Sequence, residues 1–346
     1  METGLQKQSC QTLNVLYQSD DNYAVFLGVS ICSLLGNNRS AADIHIYIID
    51  DSISRENKNK LTMMIHSYKR EVTFFPAESI LGRKEIVSAF DYTGMRKNKH
   101  SYLKMFIDEF VPDLDKRILY IDCDTAITGD LTELMSIDML GKPIGMVMDS
   151  LTTTKCKKAV GISKEARYFN SGVILIDLSQ YKKRGCSKRI LSHIKDIRMY
   201  GTVDQDVLNV ELEEEILTLP IEYNLQPIHF DYPYRTYARV YCHQDYYTPE
   251  EIEKAVNAPK IVHYLRYLGE EPWNERTLHP CAKYFDYYLQ ASPWKDYHKK
   301  PANVKWIFRM EKWMYKYLPK GIFLRVFSLI HEAMIVRSNS FNHSPI

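Results

Sequence analysis

Seven cysteines in 346 residues include no C-x-x-C pair and no metal-ligand cluster. Their odd number also argues against a disulfide framework, so a reducing cytoplasm fits best. No stretch reaches the roughly 18 uninterrupted apolar residues of a membrane span. The N-terminal METGLQKQSC lacks the basic-then-apolar pattern of a secretory signal, so neither a spanning nor an exported protein is expected. No repeat recurs at a fixed period, and no nucleic-acid-binding motif accompanies the basic residues. Net charge is only +2. That small sum hides an asymmetry: Lys299 to Arg337 holds nine Lys or Arg and two Glu, a local +7, which leaves the rest of the chain acidic. What the composition does have, 45% hydrophobic and 25% charged residues, suits a globular fold with a sizeable core.

Apolar runs alternate with helix-like periodic segments through the first half. Leu13–Gln18, Ile44–Ile49, Val72–Phe75, Arg117–Ile121, Pro143–Met148 and Gly172–Asp177 read as strands; Tyr23–Leu35, Arg55–Tyr68 and His100–Phe110 read as helices. This alternation predicts an α/β fold with a mostly parallel sheet covered on both faces. In such sheets ligands sit beyond the carboxyl ends of the strands. Asp20-Asp21, Asp50-Asp51, Asp122 with Asp124, and Asp149 all fall at such ends. One acidic rim on one sheet edge is expected, and it would repel itself without a cation.

"ILYIDCDTAITG" (118–129) is the sharpest feature. Residues i and i+2 of an extended segment face the same side, so Asp122 and Asp124 address one ligand while Cys123 turns towards the core. Oxygen ligation of this kind suits magnesium or manganese, commonly completed by substrate phosphate oxygens. A histidine as third ligand favours manganese. The plain alternative is a D-x-D that caps the following turn.

Several segments, in order, resemble the family 8 glycosyltransferases, retaining enzymes of the GT-A fold, in particular the bacterial lipopolysaccharide galactosyl- and glucosyltransferases. They are "YQSDDNYA" (17–24), "KRILYIDCDTAITGDL" (116–131), "YFNSGVILIDL" (168–178), "VDQDVLN" (203–209), and "VHY" with "PW" (262–264, 272–273). The resemblance covers about residues 12–290 and implies a GT-A type nucleotide-diphospho-sugar transferase fold. Its nucleotide-sugar part would occupy about 12–180 and its acceptor part about 181–290, with a C-terminal helical extension over 291–340. Residue by residue it implies a UDP-sugar site of Asp20, Asn22, Lys104, Cys123, Asp149 and Asn170. Asp122, Asp124 and His263 would hold Mn2+, with Mg2+ as the other option. Gln205 would lie beneath the anomeric carbon with Asp204 beside it, and Asp204 is also placed to cap the helix opening there. An amide is a poor nucleophile, which favours same-face attack over a covalent intermediate. Asp130 reads as a plain helix cap.

The chain departs from the family in its closing motif. "HYLRYLGEEPW" is two residues longer than the family pattern, and Glu271 stands where a lysine would meet the diphosphate. Arg266 is the candidate to supply the missing charge. The aromatic stretch 223–247 lies where the family shapes its acceptor pocket. The basic, aromatic tail suits an anionic bilayer surface, which would place a cytoplasmic enzyme on the inner face of a membrane beside a saccharide or lipid-linked acceptor. Two other functions compete. The strand–D-x-D–Thr pattern also resembles haloacid-dehalogenase phosphatases, with Asp122 as nucleophile, although Ala126 and the late position depart from that signature. The altered lysine position also leaves open a non-catalytic UDP-sugar-binding protein.

Overall fold

The computed structural model describes residues 12–87, 99–111, 114, 116–196, 202–241 and 245–340; Cys10 and Cys242 lie outside them. Strands β1 (Thr12–Asp20), β2 (Asp43–Asp51), β3 (Glu71–Pro76), β4 (Arg117–Ile121), β6 (Ile144–Met148), β7 (Phe169–Asp177) and β8 (Ile216–Thr218) form one sheet in the order β3-β2-β1-β4-β7-β6-β8. A separate pair joins β5 (Thr125–Ile127) to β9 (Ile261–His263), antiparallel. In the large sheet only β7 runs against its neighbours. The carboxyl ends of β1, β4 and β6 and the amino end of β7 therefore share one edge, which collects Asp20, Asp122, Asp149 and Asn170.

The central strands are apolar along their whole length because both faces are covered. β7 is buried from Phe169 to Ile176. Helix α1 (Ala24–Asn37) is buried nearly all round. Gly28 lets it meet Trp294, since a Cβ there would lie 2.1 Å from the indole. Helix α2 (Arg55–Ser67) is amphipathic and capped by Ser54, whose side chain accepts from the Asn57 amide. The segment from Lys99 to Phe106 is a 3-10 helix that continues into a short α-helix, Ile107–Phe110.

Four further helices matter below: α3 (Thr154–Ala159), α4 (Val203–Glu211), α5 (Tyr234–Tyr241) and α6 (Ala282–Ala291). The basic tail forms α7 (Trp306–Tyr317) and α8 (Lys320–Ser340). Phe323 and Leu324 of α8 are buried in a second apolar cluster with Tyr232, Tyr237 and Tyr241. Tyr232, Tyr237 and Tyr241 thus form part of the core that seats the tail, while Tyr223 and Tyr247 belong to the main core. No helix among the described residues is long and apolar enough to cross a membrane.

Candidate active site

The end of β4 delivers Asp122, Cys123 and Asp124 to the shared edge, where the Asp122 amide donates to the Gly172 carbonyl at 2.8 Å. The β5–β9 pairing sets Thr125 opposite His263, and the Tyr264 amide donates to the Asp124 carbonyl at 2.8 Å. A histidine remote in sequence is thereby fixed beside the D-x-D. His263 Nε2 lies 3.3 Å from Asp124 and 3.9 Å from Asp122, and ligand atoms from all three residues fall within 4.8 Å of one another. Gly172 is required beneath the ring, since a Cβ there would lie 2.1 Å from His263 Cε1. Two carboxylates and an imidazole fit a divalent ion, and the nitrogen donor fits manganese better than magnesium.

Charge holds this corner together. Lys104 is buried yet pairs with Asp204 at 2.7 Å and Asp122 at 3.5 Å, donates to the Ser171 carbonyl at 3.0 Å, and sits over the Tyr120 ring. Burial alone would push its pKa down; the Asp122 and Asp204 carboxylates carry it above its ordinary value. Tyr120 donates to Asp122 at 2.5 Å. Burial, with the Asp124 charge behind it, raises Asp122 against the pull of Lys104. Burial also works against ionised Asp124, but the facing His263 outweighs it and lowers the carboxyl, while Asp124 raises the imidazole despite its burial. The acidic rim is therefore partly neutralised by the chain itself: Lys104 serves Asp122, and Asp50 is taken by Lys58 at 2.6 Å; His100 Nδ1 lies 2.6 Å from Asp51.

Asp20, Tyr23, Lys104, Asp122, Cys123, Asp124 and Asp204 line a cleft of about 430 Å³, within the usual range for small-ligand sites. Cys123 is turned inward, its thiol donating to the Gln18 carbonyl. Asn22 is exposed and donates to Asp20. A neighbouring pocket of about 230 Å³ holds Asp149, Asn170, Gln205 and Arg266.

An amide chain joins the two. The Gly172 and Ser171 amides are donors of fixed polarity, so the Asn170 and Gln205 side-chain oxygens must face them, at 3.1 and 3.2 Å. Asn170 Nδ2 then donates to Gln205 Oε1 at 3.0 Å, and Asn224 Nδ2 donates to Asn170 Oδ1 at 2.9 Å. Asn224 Oδ1 is left to accept from His263 Nδ1 at 2.9 Å, which frees Nε2 towards the carboxylates. Second contacts of this kind fix the tautomer of a ligating histidine. Asn224 is fully buried.

The model of glycosyl transferase family 8 matches residues 14–277, most of the chain. The chain belongs to glycosyltransferase family 8. A lipopolysaccharide 1,2-glucosyltransferase of Escherichia coli K12 is 28% identical over 89% of this chain and 86% of its own. General stress protein A of Bacillus subtilis is 26% identical over 82% of this chain and 95% of its own. Among solved structures, the galactosyltransferase LgtC with donor and acceptor sugar analogs superposes with a TM-score of 0.63 at 20% identity, covering 86% of this chain and 99% of that one. This glycosyltransferase therefore has the GT-A fold, and membership sets the phosphatase alternative aside.

Within this family 8 site, Arg266 pairs with Glu271 at 3.0 Å on the exposed rim and lines the smaller pocket; it is not among the residues of the larger cleft. Asp204 is bound to Lys104 and the Ser171 hydroxyl, and its side chain does not cap α4. Asp130 accepts from the Thr132 amide at 2.7 Å, but Leu131 rather than Asp130 takes the N-cap position of the helix Thr132–Ser136. Sequence reasoning missed Asn224, Ser171 and Tyr120. Tyr120 alone carried a signal, since on a strand it shares the face of Asp122.

Proposed function

We propose that this chain is a retaining hexosyltransferase that moves galactose or glucose from a UDP-sugar to a saccharide or lipid-linked acceptor, with Mn2+ as its ion. The observation that carries the reading is the Asp122–Asp124–His263 corner opening onto a cleft that also presents Asp20 and Lys104. A divalent ion held there neutralises the charge that develops on the departing diphosphate.

The chain's own groups do the rest. Lys104 adds fixed positive charge beside the diphosphate. Asp149 and Asn170 face the hexose hydroxyls from the smaller pocket, and Asp20 and Asn22 face the nucleoside. Gln205 Oε1 already accepts from Asn170 Nδ2 and the Ser171 amide. Those two donors withdraw electron density from the carbonyl, which favours electrostatic support of a cationic anomeric carbon over covalent attack. The acceptor oxygen then bonds to that carbon on the face the phosphate leaves, and its proton passes to the departing phosphate oxygen. The similarity to lipopolysaccharide 1,2-glucosyl- and 1,3-galactosyltransferases supports a hexose donor and a surface-polysaccharide acceptor. Trp306, Trp313 and Tyr317 of α7 are exposed, at 73%, 58% and 69%. With the neighbouring lysines and arginines they support contact with the inner face of an anionic membrane, to be checked by sedimentation with phosphatidylglycerol vesicles.

The decisive measurement is UDP binding and UDP release from UDP-galactose and UDP-glucose, with and without Mn2+. No binding and no release would overturn the reading. Tight binding without release would establish the non-catalytic alternative that the Glu271 substitution motivates.

A further inference from the structure

Helix α8 runs across the smaller pocket. His331 and Ile335 on it, with Leu151 and Leu265, form the wall that faces Asp149, Asn170 and Gln205. The helix is pinned in place from outside the pocket. Glu332 pairs with Lys155 of α3 at 2.8 Å and accepts from the Thr153 hydroxyl at 2.6 Å, and Phe323 and Leu324 are buried against α5.

His331 belongs to two hollows at once. Its other side lines a groove of about 80 Å³ between α7 and α8, walled by Ile307, Met310, Met314, Ile330 and Met334. Phe327 stacks on its ring, with centroids 5.9 Å apart. Neither ring nitrogen has a hydrogen-bond partner among the described residues, and burial holds the imidazole below its ordinary pKa. A neutral ring with a donor and an acceptor unspent thus stands between a polar pocket and an apolar groove. Glu311 also lines the groove, and partial burial pushes its carboxyl up to about 7.

A free oligosaccharide would use only the polar side of this junction. We infer that the acceptor is an amphiphilic glycoside, with its sugar between Gln205 and His331 and its apolar aglycone running past His331 into the groove between α7 and α8. His331, which lines both the groove and the pocket where transfer would occur, is what selects an occupant that spans the two. The inference rests on the transferase reading and narrows the acceptor class which that reading leaves open.

The test is calorimetric titration of the full chain, loaded with Mn2+ and UDP, with methyl and octyl β-D-glucosides and β-D-galactosides below their micelle concentrations. Octyl glycosides should bind at least about tenfold more tightly than methyl glycosides, the equivalent of burying about two methylenes. Met310→Glu and Met334→Glu place a charge at the groove rim, where both side chains are exposed (40% and 51%) and folding is not at stake. Each should bring the octyl-to-methyl ratio towards one. Equal affinities, no binding of either glycoside, or an octyl gain that survives both substitutions would overturn the inference; the last would mean that alkyl chains merely partition onto the exposed aromatic face of α7. Failure to bind UDP in the same samples would instead count against the transferase reading itself.

Discussion

Asn224 is buried away from the clefts and acts only through the two side chains it bonds, Asn170 and His263, yet two substitutions there should have opposite signatures. Asn224→Leu leaves the buried His263 Nδ1–H without its acceptor and removes one of two donors to Asn170 Oδ1. An unsatisfied buried polar group costs about 1–3 kcal/mol, so stability should fall by about 2 kcal/mol. Loss of the contact behind a metal-ligating histidine typically costs about 10–100-fold in metal affinity. Asn224→Asp behaves differently. It keeps an acceptor for His263, so manganese affinity should be retained or improved. Its second oxygen, however, confronts Asn170 Oδ1 where a donor stood at 2.9 Å. Asn170 can relieve this only by rotating, which gives up the Gly172 amide and turns its carbonyl towards Gln205 Oε1. The expected result is a kcat for UDP release from a UDP-hexose lowered at least about tenfold at saturating Mn2+, equivalent to about 1.4 kcal/mol. Electron paramagnetic resonance titration of Mn2+ reads the first quantity and steady-state kinetics the second. An Asn224→Leu protein that binds Mn2+ with unchanged affinity would refute the relay. So would an Asn224→Asp protein that loses metal affinity and kcat in equal proportion.

Gly172→Ala should abolish Mn2+ binding about as fully as His263→Ala, because a Cβ would lie 2.1 Å from the imidazole and displace it; wild-type affinity in the titration would contradict this. Lys104→Met should destabilise the fold by about 3 kcal/mol, since it leaves Asp204 and Asp122 without their buried cation. Asp204→Asn in that background should recover part of the loss in a urea titration. Glu311→Gln should stabilise in a pH-dependent way. The folded carboxyl sits at about 7 against an ordinary 4.5, so the folded state binds the proton more tightly and ionisation costs stability as pH rises from about 4.5 to about 7. The Tm difference should be near zero at pH 4.5 and reach about 2 °C by pH 8, taking about 1 kcal/mol after discounting for partial exposure. A difference that shrinks with rising pH would refute the assignment.

The sheet was legible because its strands are uninterrupted apolar runs, and those end at carboxylates that fall on one edge once six of seven strands point the same way. Asp122, Asp124 and Asp149 could be placed from that rule alone. His263 could not: it reaches the D-x-D through the short β5–β9 pair, a long-range pairing with no periodic signal of its own. Asn224 was hidden for a similar reason, since its role depends on fixed backbone donors at Ser171 and Gly172 that no side-chain pattern reveals. The aromatic stretch was ambiguous because tyrosine is equally suited to sugar contacts and to a half-polar core. What decided between them was α8, whose Phe323 and Leu324 claim Tyr237 and Tyr241 for packing. His331 and Ile335 of α8 also line the pocket that holds Asp149, Asn170 and Gln205.

The altered closing motif and the tail are best understood as one unit. Leu265, Leu268 and Gly269 all adopt left-handed backbone angles, with φ of 42°, 53° and 72°, which costs the two leucines about 1–2 kcal/mol each. Contacts from α7 and α8 offset that cost. Glu270 is buried and bound by Lys312 at 2.5 Å, Phe308 packs so closely on Gly269 that a Cβ would lie 2.5 Å from it, and Asp231 takes both the Tyr267 hydroxyl and Lys320. The Glu271–Arg266 pair thus sits in a loop that the tail holds in shape. The same pairing limits what the tail can offer a membrane. Lys312 and Lys320 are committed to carboxylates of the domain, so attraction to anionic lipid, at about 1 kcal/mol per basic residue near the surface, falls chiefly to the exposed Lys305, Arg309 and Lys316. Aromatic insertion by Trp306, Trp313 and Tyr317 would have to supply the remainder.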